Sequence, residues 1–230
     1  MIRFENVHKS FDGVKVLDGV DFEVADGEVL AIVGPSGTGK SVTLKHIVGL
    51  LSPDEGTVCV KDGARIGYLF QGGALLAWLT VRENVALPLK ETTRLSDSEI
   101  DSCVEEALKA VGMEDAADRY PAEISGGMVK RAGLARAIVR KADVLLYDEP
   151  TSGLDPVTAR TIHRLIRKLN VERRLTSLVV THDLAGACSF ADRILMLKDG
   201  RVVLAAGPDE FMASEIPEVR ELISASKGEI

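Results

Sequence analysis

The first residues with types and spacing suited to chemistry form a glycine-rich stretch that ends in a lysine and a serine. The run is Gly34-Pro35-Ser36-Gly37-Thr38-Gly39-Lys40-Ser41, and an apolar segment precedes it. Glycines let backbone N–H groups turn inward around phosphates, and the start of a following helix adds a favourable dipole. In the pattern G-x-x-x-x-G-K-[ST], the lysine reaches the β- and γ-phosphates and the hydroxyl lies on Mg²⁺. The pattern predicts a nucleotide phosphate site, with a plain glycine turn as the alternative.

A second candidate is a pair of carboxylates at the end of an apolar run. The run Val144–Tyr147 is typical of a buried strand, and Asp148 and Glu149 follow it. In doubly wound sheets the carboxyl end of a strand lies beside the phosphate loop, where Asp148 can hold Mg²⁺ through water. Glu149 can then orient or deprotonate an attacking water molecule. Alone, such a strand end is also compatible with an ordinary solvated turn; together with the phosphate loop it indicates hydrolysis.

A third candidate is the run Ile124-Ser125-Gly126-Gly127-Met128, which immediately precedes a predicted helix. A serine and two glycines at a helix start form another anion site of exposed N–H groups. One chain has no need of two phosphate sites for one nucleotide. If the second serves a nucleotide held by another copy, the active unit is a head-to-tail dimer. The alternative is a plain helix N-cap at Ser125.

Hydrophobic patterning indicates the elements that position these groups. Residues 1–11 and 14–24 are β-rich and end at Asp-Gly turns, so they predict a small antiparallel sheet before the buried strand Val29–Val33. Further strands are predicted at Val144–Tyr147, Ser177–Thr181 and Ile194–Leu197, and helices at Ser41–Leu51, Ser98–Val111, Val129–Arg140 and Pro156–Asn170. Alternating strands and helices predict an α/β fold with a mainly parallel sheet.

The same pattern predicts how the chain is organised. Residues 1–75 and 143–207 form the nucleotide-binding core, residues 76–142 form an inserted α-helical subdomain, and residues 208–230 form a tail of one or two helices. All three parts are expected to belong to one domain of residues 1–230, since 46% hydrophobic content supports a full core.

Composition narrows the function classes. With 28 Lys and Arg against 35 Asp and Glu, the net charge of −7 argues against a nucleic-acid partner. The three cysteines are widely spaced and suggest neither disulfides nor a zinc site. No apolar stretch is long enough to span a bilayer, so any membrane role is expected to come through a separate membrane-embedded partner.

These motifs, in this order, resemble the ABC ATPases over nearly the whole chain. Further matches are Phe11 at the position of an adenine-stacking aromatic ring, Gln71 of the Q-loop, Ser152-Gly153-Leu154-Asp155 of the D-loop and the switch histidine His182. The resemblance implies a P-loop NTPase (RecA-like) core with a small antiparallel β subdomain and an inserted α-helical subdomain. It also implies ATP and Mg²⁺ as cofactors.

The resemblance assigns roles to individual residues. Glu149 activates water and His182 contacts the γ-phosphate. Mg²⁺ is bound by Ser41, Gln71 and Asp148, and the partner copy's ATP is contacted by Ser125, Gly126, Gly127 and Asp155. The chain's own ATP is bound by Phe11, Gly34, Pro35, Ser36, Gly37, Thr38, Gly39, Lys40, Ser41, Val42 and Gln71.

A finer resemblance is to the ATPases of Mla/Mce-type lipid transporters. It rests on GPSGTGKSVTLKHIVGLL, on FQGGALL followed by LTVRENVALPL, and on ISGGMVKRAGLARAI with Met128 in place of the more usual Gln. It implies three partners: a second copy in an ATP-sandwich dimer, an integral-membrane permease and an Mce-type substrate-binding protein. The expected location is peripheral, at the cytoplasmic face of the inner (plasma) membrane.

Two features depart from this finer pattern. The segment between Lys40 and Gln71 is short for the family, and Ala77-Trp78-Leu79 is similar to ATPases of nitrate, sulfonate and taurine importers. An ATPase of a small-solute importer therefore stays open as the alternative. A soluble ABC ATPase of DNA repair or translation would usually have coiled-coil insertions or two cassettes, and a small-molecule kinase would leave Ser125-Gly126-Gly127 and His182 unexplained.

Overall fold

A computed structural model describes residues 1–227, which divide into two compact units. The first unit comprises residues 1–63 together with the chain from Thr176 onward, and the second comprises Ala64–Leu175. Strands and helices occur in both units, and the strands pair in parallel and antiparallel fashion, so the predicted α/β class is confirmed. The predicted subdomain boundaries stay a prediction.

A small antiparallel sheet opens the first unit. Its strands are β1 (Ile2–Phe11), β2 (Val14–Val24) and β4 (Glu55–Val60), with β1 in the middle. Asp12 and Gly13 join β1 to β2 with φ values of +49° and +78°, which is the left-handed backbone that a two-residue hairpin requires. The Asp-Gly signal in the sequence therefore marks the hairpin correctly.

The parallel strands of the first unit are β3 (Val29–Val33), β7 (Thr176–Val180) and β8 (Arg193–Lys198). Strand β3 pairs with both of the others, and β9 (Arg201–Ala206) adds to β8 in the antiparallel direction. Every residue of β3 and β7 is buried, which explains why β3 and the last three residues of β7 are continuous apolar runs in place of alternating ones.

Four helices border these strands along the chain. They are α1 (Lys40–Ile47), which follows β3, α6 (Leu184–Phe190), which follows β7, and, after β9, the pair α7 (Pro208–Met212) and α8 (Pro217–Lys227) of the tail. Helix α1 ends earlier than the predicted Leu51 because Gly49 adopts a left-handed conformation with φ +72°. Of the predicted tail, residues 228–230 lie outside the described residues.

The second unit combines two parallel strands with four helices. The strands are β5 (Ile66–Leu69) and β6 (Val144–Asp148); the helices are α2 (Val81–Thr92), α3 (Asp97–Val111), α4 (Gly126–Ile138) and α5 (Pro156–Arg173). Capping boxes at Thr80 and Ser96 start α2 and α3. The predicted apolar face of α3 is buried, namely Ile100, Val104, Ala107, Leu108 and Val111. Within residues 1–227, none of the helices is both long and apolar enough to cross a membrane.

Candidate functional site

The glycine-rich stretch forms the loop between β3 and α1, and close packing requires glycine at two of its positions, Gly34 and Gly39. Gly34 has φ +148°, and a side chain there would run into the main-chain carbonyl oxygen of Leu197. At Gly39, with φ +94°, a Cβ would lie 2.7 Å from Leu17 Cδ2 and 2.9 Å from the carbonyl oxygen of Val16. Both positions therefore need glycine for space as well as for backbone conformation.

Lys40 begins α1 and is only 7% exposed. Its Nζ donates hydrogen bonds to the carbonyl oxygens of Gly34 at 2.8 Å and Pro35 at 2.7 Å. The Thr38 hydroxyl also donates to the Pro35 carbonyl, at 3.0 Å. The ammonium thus lies inside the loop at a helix N-terminus, and this concentration of positive charge suits the phosphates of a nucleotide.

The remaining predicted nucleotide contacts of this loop flank Lys40 on both sides. Ser36 and Gly37 are exposed at the tip of the loop, and Ser41 and Val42 lie half-buried in the first turn of α1. This turn places the Ser41 side chain one residue after the ammonium-bearing Lys40, as the pattern requires for a hydroxyl ligand of Mg²⁺.

His182 follows β7 at the same sheet edge as the phosphate loop. Ile32 of β3 pairs with Val180 of β7, and the Thr181 amide donates to the Ile32 carbonyl at 3.1 Å. The next residue, His182, is exposed. Because parallel strands end at one edge, the predicted switch histidine and the phosphate loop share that edge of the first unit.

Phe11 is the last residue of β1, in the small antiparallel sheet. Its ring is 41% exposed, and Lys9 Nζ lies 5.7 Å from the ring centroid. An exposed aromatic ring beside a cation can stack on a planar base, so its position is compatible with the predicted adenine contact.

In the second unit, β5 and β6 end side by side and bring the predicted Q-loop and carboxylates together. Leu69 pairs with Tyr147 in parallel register, so Gln71 follows the end of β5 next to the end of β6, where Asp148 is the last residue. The Gln71 side-chain amide donates to the Ser152 hydroxyl at 3.4 Å, which links the predicted Q-loop to the predicted D-loop.

Tyr68 is a functional candidate that the sequence did not reveal. Its hydroxyl donates to Asp148 Oδ2 at 3.1 Å and so orients the predicted metal ligand. Burial and the charge of Asp148 raise the pKa of Tyr68 well above its usual range, so the hydroxyl keeps its proton and remains a donor. The only sequence signal is a polar aromatic residue within an otherwise apolar strand.

The Ser125 motif is both a helix cap and a close packing point. The Ser125 hydroxyl accepts a hydrogen bond from the Met128 amide at 3.3 Å, so α4 begins at Gly126 and three residues earlier than predicted. A side chain at Gly127 would run into Thr158 Cγ2 at the start of α5. The plain N-cap that the sequence left open is therefore present, and the first-turn amides of Gly126 and Gly127 precede the first intrahelical hydrogen bond.

Asp155 caps α5 in the same neighbourhood. Its carboxylate accepts hydrogen bonds from the amides of Val157 at 2.9 Å and Thr158 at 3.0 Å. Hydrogen bonds from Thr158, its side chain first, hold the pKa of Asp155 below its usual range. The first-turn amides of α5 thus hold the side chain of Asp155, the predicted D-loop aspartate, in place.

The donor chemistry fits the predicted cofactors. A carboxylate, a hydroxyl and an amide oxygen are hard ligands of the kind that Mg²⁺ accepts together with nucleotide phosphates. The hydrogen bond from the neutral Tyr68 hydroxyl orients one oxygen of the Asp148 carboxylate. When bound, Mg²⁺ would neutralise charge on the transferred phosphate.

Comparisons with known proteins agree with these motifs. The family model for "ABC transporter" matches residues 17–152. The chain is 38% identical to "Protein TRIGALACTOSYLDIACYLGLYCEROL 3, chloroplastic" of Arabidopsis thaliana, over 98% of this chain and 74% of the relative. It is 39% identical to the "Methionine import ATP-binding protein MetN" of Bordetella pertussis, over 98% of this chain and 67% of the relative.

Among solved structures, the chain is similar to the ATP-binding cassette MJ0796 in a dimeric post-hydrolysis state bound to ADP and Pi. The TM-score is 0.82 at 35% identity, covering 90% of this chain and 99% of that chain. The predicted P-loop NTPase fold is therefore confirmed, and so are ATP binding and hydrolysis as the reaction class. The chain belongs to the ABC transporter family, as the ATP-binding and ATP-hydrolysing subunit of a transporter.

Proposed function

We propose that this ATPase powers lipid transport in an Mla/Mce-type system. The observation that carries the proposal is the 38% identity, over 98% of the chain, to a plant relative that is named for a galactolipid. The Met128 variant of the glycine motif and the segment after Gln71 point the same way. Its partners are then an integral-membrane permease and an Mce-type substrate-binding protein, and its location is the cytoplasmic face of the inner membrane.

The proposed active unit is an ATP-sandwich dimer of two copies. Capping by Ser125 leaves the amides of Gly126 and Gly127 at a helix N-terminus, where they suit the γ-phosphate of the partner's ATP. The related cassette MJ0796 is a dimer with ADP and Pi bound. In this dimer ATP lies between Lys40 of one copy and Ser125 of the other, with Asp155 as a further contact.

Within each site we assign Glu149 as the general base, with His182 at the γ-phosphate and Mg²⁺ held by Ser41, Gln71 and Asp148. Glu149 follows Asp148 directly, so a metal ligand and a base come from one strand end. Glu149→Gln should bind ATP, form a long-lived dimer and lose at least about 100-fold in turnover. A Glu149→Gln variant with normal turnover refutes the assignment of the base.

Dimeric chemistry has its own test, which also separates the transporter ATPase from a small-molecule kinase. Ser125→Arg should abolish ATP turnover because it blocks the partner's phosphates, whereas a monomeric site would tolerate it. Ser102→Arg on the exposed face of α3 introduces the same charge away from the motif and is the matched control.

The cargo is tested by isolating the complex. The tagged chain is extracted from membranes in mild detergent, and co-purifying proteins and bound lipids are identified by mass spectrometry. A multi-span permease with an Mce-type protein and phospholipid supports the proposal. Recovery without any membrane protein contradicts the proposed partners.

The second candidate is a small-solute importer, and two observations favour it. The methionine-import relative is 39% identical over 98% of this chain. Trp78, in the segment similar to other importers, is 72% exposed and offers a large apolar side chain to a partner. A permease that arrives with a soluble solute-binding protein and without lipid would establish this alternative.

A further inference from the structure

The backbone of Glu149 is in an unusual conformation. Its φ is +48°, in the left-handed region that non-glycine residues rarely adopt. The following residue is Pro150, whose ring favours extended backbone at the residue before it. Such a conformation is strained and persists only where the surroundings hold it. Some neighbour must therefore stabilise the main chain of Glu149.

Lys130 is one such neighbour, beside the Ser152 amide, which donates to the Glu149 carbonyl oxygen at 3.2 Å. It lies in the second turn of α4 and is only 5% exposed. Its Nζ donates to the carbonyl oxygen of Glu149 at 3.2 Å and also to the carbonyl oxygen of Gln71. Burial lowers the pKa of Lys130, and the charges of Glu149 and Asp148 oppose that shift. A buried lysine without such partners is very rare.

A second cation of α4 strengthens the contact with the Q-loop. Arg136 donates to the carbonyl oxygens of Gly73 at 2.9 Å and Ala74 at 2.7 Å. A Cβ at Gly133, between the two cations, would lie 3.0 Å from the Gly73 carbonyl oxygen, so the helix backbone approaches the loop closely. Helix α4 thus holds the chain after β5 at several points, and Lys130 also donates to the loop after β6.

We infer that Lys130 is a positioning residue for ATP hydrolysis. Its ammonium fixes the left-handed backbone of Glu149, and this backbone sets the direction in which the carboxylate leaves the chain. The same ammonium fixes Gln71, so one buried charge aligns the proposed base and a proposed Mg²⁺ ligand. The inference rests on the proposed role of Glu149.

The test compares Lys130→Met, which keeps side-chain length and removes the donor, with Lys130→Arg, which keeps the charge and the ability to donate to two carbonyls. Arg131→Met is the matched control, because Arg131 donates to the carbonyl oxygens of Val111 and Gly112 at the end of α3. It likewise loses a cation that bonds two carbonyls, but these lie outside the proposed site. Steady-state kcat and KM, affinity for a fluorescent ATP analogue and the melting temperature are measured on the full chain.

Lys130→Met should lower kcat roughly tenfold to a hundredfold while nucleotide affinity changes less than about threefold. Lys130→Arg should recover most of kcat, and Arg131→Met should lower the melting temperature without changing kcat. If Lys130→Met does not fold, Lys130→Gln, whose side chain is shorter and uncharged but still carries N–H donors, should give an intermediate kcat.

The inference is overturned if the kcat of Lys130→Met equals that of the parent or of Arg131→Met. If Lys130→Met does not fold, a kcat of Lys130→Gln equal to that of the parent overturns it instead. Glu149→Gln, measured in the same assay, separates failure of this inference about Lys130 from failure of the proposed function. If Glu149→Gln keeps its turnover, the role of Glu149 is wrong; if it loses turnover while the Lys130 variants keep theirs, only the inference fails.

Discussion

The packing of Gly127 against Thr158 offers a sharp test, because it separates the structural from the functional need for this glycine. In Gly127→Ala the added Cβ would overlap with Thr158 Cγ2, at the point where α4 meets the start of α5. Thr158→Ser removes that methyl group and keeps the hydroxyl that hydrogen-bonds Asp155. The double variant Gly127→Ala, Thr158→Ser can therefore relieve the clash without disturbing the cap of α5.

The expected magnitude follows from opposing effects. Overpacking a tight contact costs about 1–3 kcal/mol. Replacing glycine by alanine returns about 0.4–1 kcal/mol by restricting the unfolded chain. Gly127→Ala should therefore lose about 1–2 kcal/mol of unfolding free energy, and Thr158→Ser, which loses one half-buried methyl group, roughly 0.5 kcal/mol.

Urea unfolding of the parent, both single variants and the double variant gives the coupling energy. The double variant should be at least as stable as Thr158→Ser, because it keeps the gain from restricting the unfolded chain without the clash, so the coupling should be about 1 kcal/mol or more. Its ATP turnover should stay low, because the proposed contact requires the backbone of Gly127 to approach the partner's phosphate closely.

Two outcomes would refute this reasoning. If Gly127→Ala is as stable as the parent, the packing is not tight. If Thr158→Ser does not restore the stability that Gly127→Ala loses, then Thr158 is not the group that the added Cβ meets. Recovery of turnover together with stability would instead show that the glycine is needed only for packing.

Further predictions concern residues at the caps and strand ends. Asp155→Ala should lower the free energy of unfolding in chemical denaturation, because it removes the N-cap of α5. Because the folded state lowers the pKa of Asp155, the stabilisation is present above the unfolded-state pKa of about 4 and is lost as the pH falls through the folded-state pKa; Asp155→Ala should flatten that dependence. Gly67→Ala should lose more than about 2 kcal/mol, since its Cβ would run into the carbonyl oxygen of Ala137, and an unchanged melting temperature contradicts this. Tyr68→Phe removes the hydrogen bond to Asp148 and should raise the Mg²⁺ concentration for half-maximal nucleotide binding about fivefold, measured by Mg²⁺ titration with a fluorescent ATP analogue; an unchanged midpoint argues against a positioning role.

Local pattern in the sequence predicts much of this protein. The buried strand Val29–Val33 and the apolar face of α3 are found where hydrophobic periodicity places them. The Asp12-Gly13 hairpin and the phosphate loop also follow from residue types, because each depends on neighbouring backbone alone. Helix ends were less predictable: α5 continues to Arg173, beyond the predicted Asn170, because no glycine or proline stops it earlier.

Only the tertiary structure decides which polar groups meet. Lys130 belongs to a basic helix segment that the sequence presents as charged, yet it is buried against carbonyl oxygens of Gln71 and Glu149. Tyr68 reaches Asp148 across 80 positions of sequence. Sequence periodicity assigns a residue to a face by its polarity, but a hydrogen bond between distant segments depends on strand register and helix packing. These long-range contacts, which hold the proposed base and metal ligand in place, could therefore not be predicted from residue types and spacing.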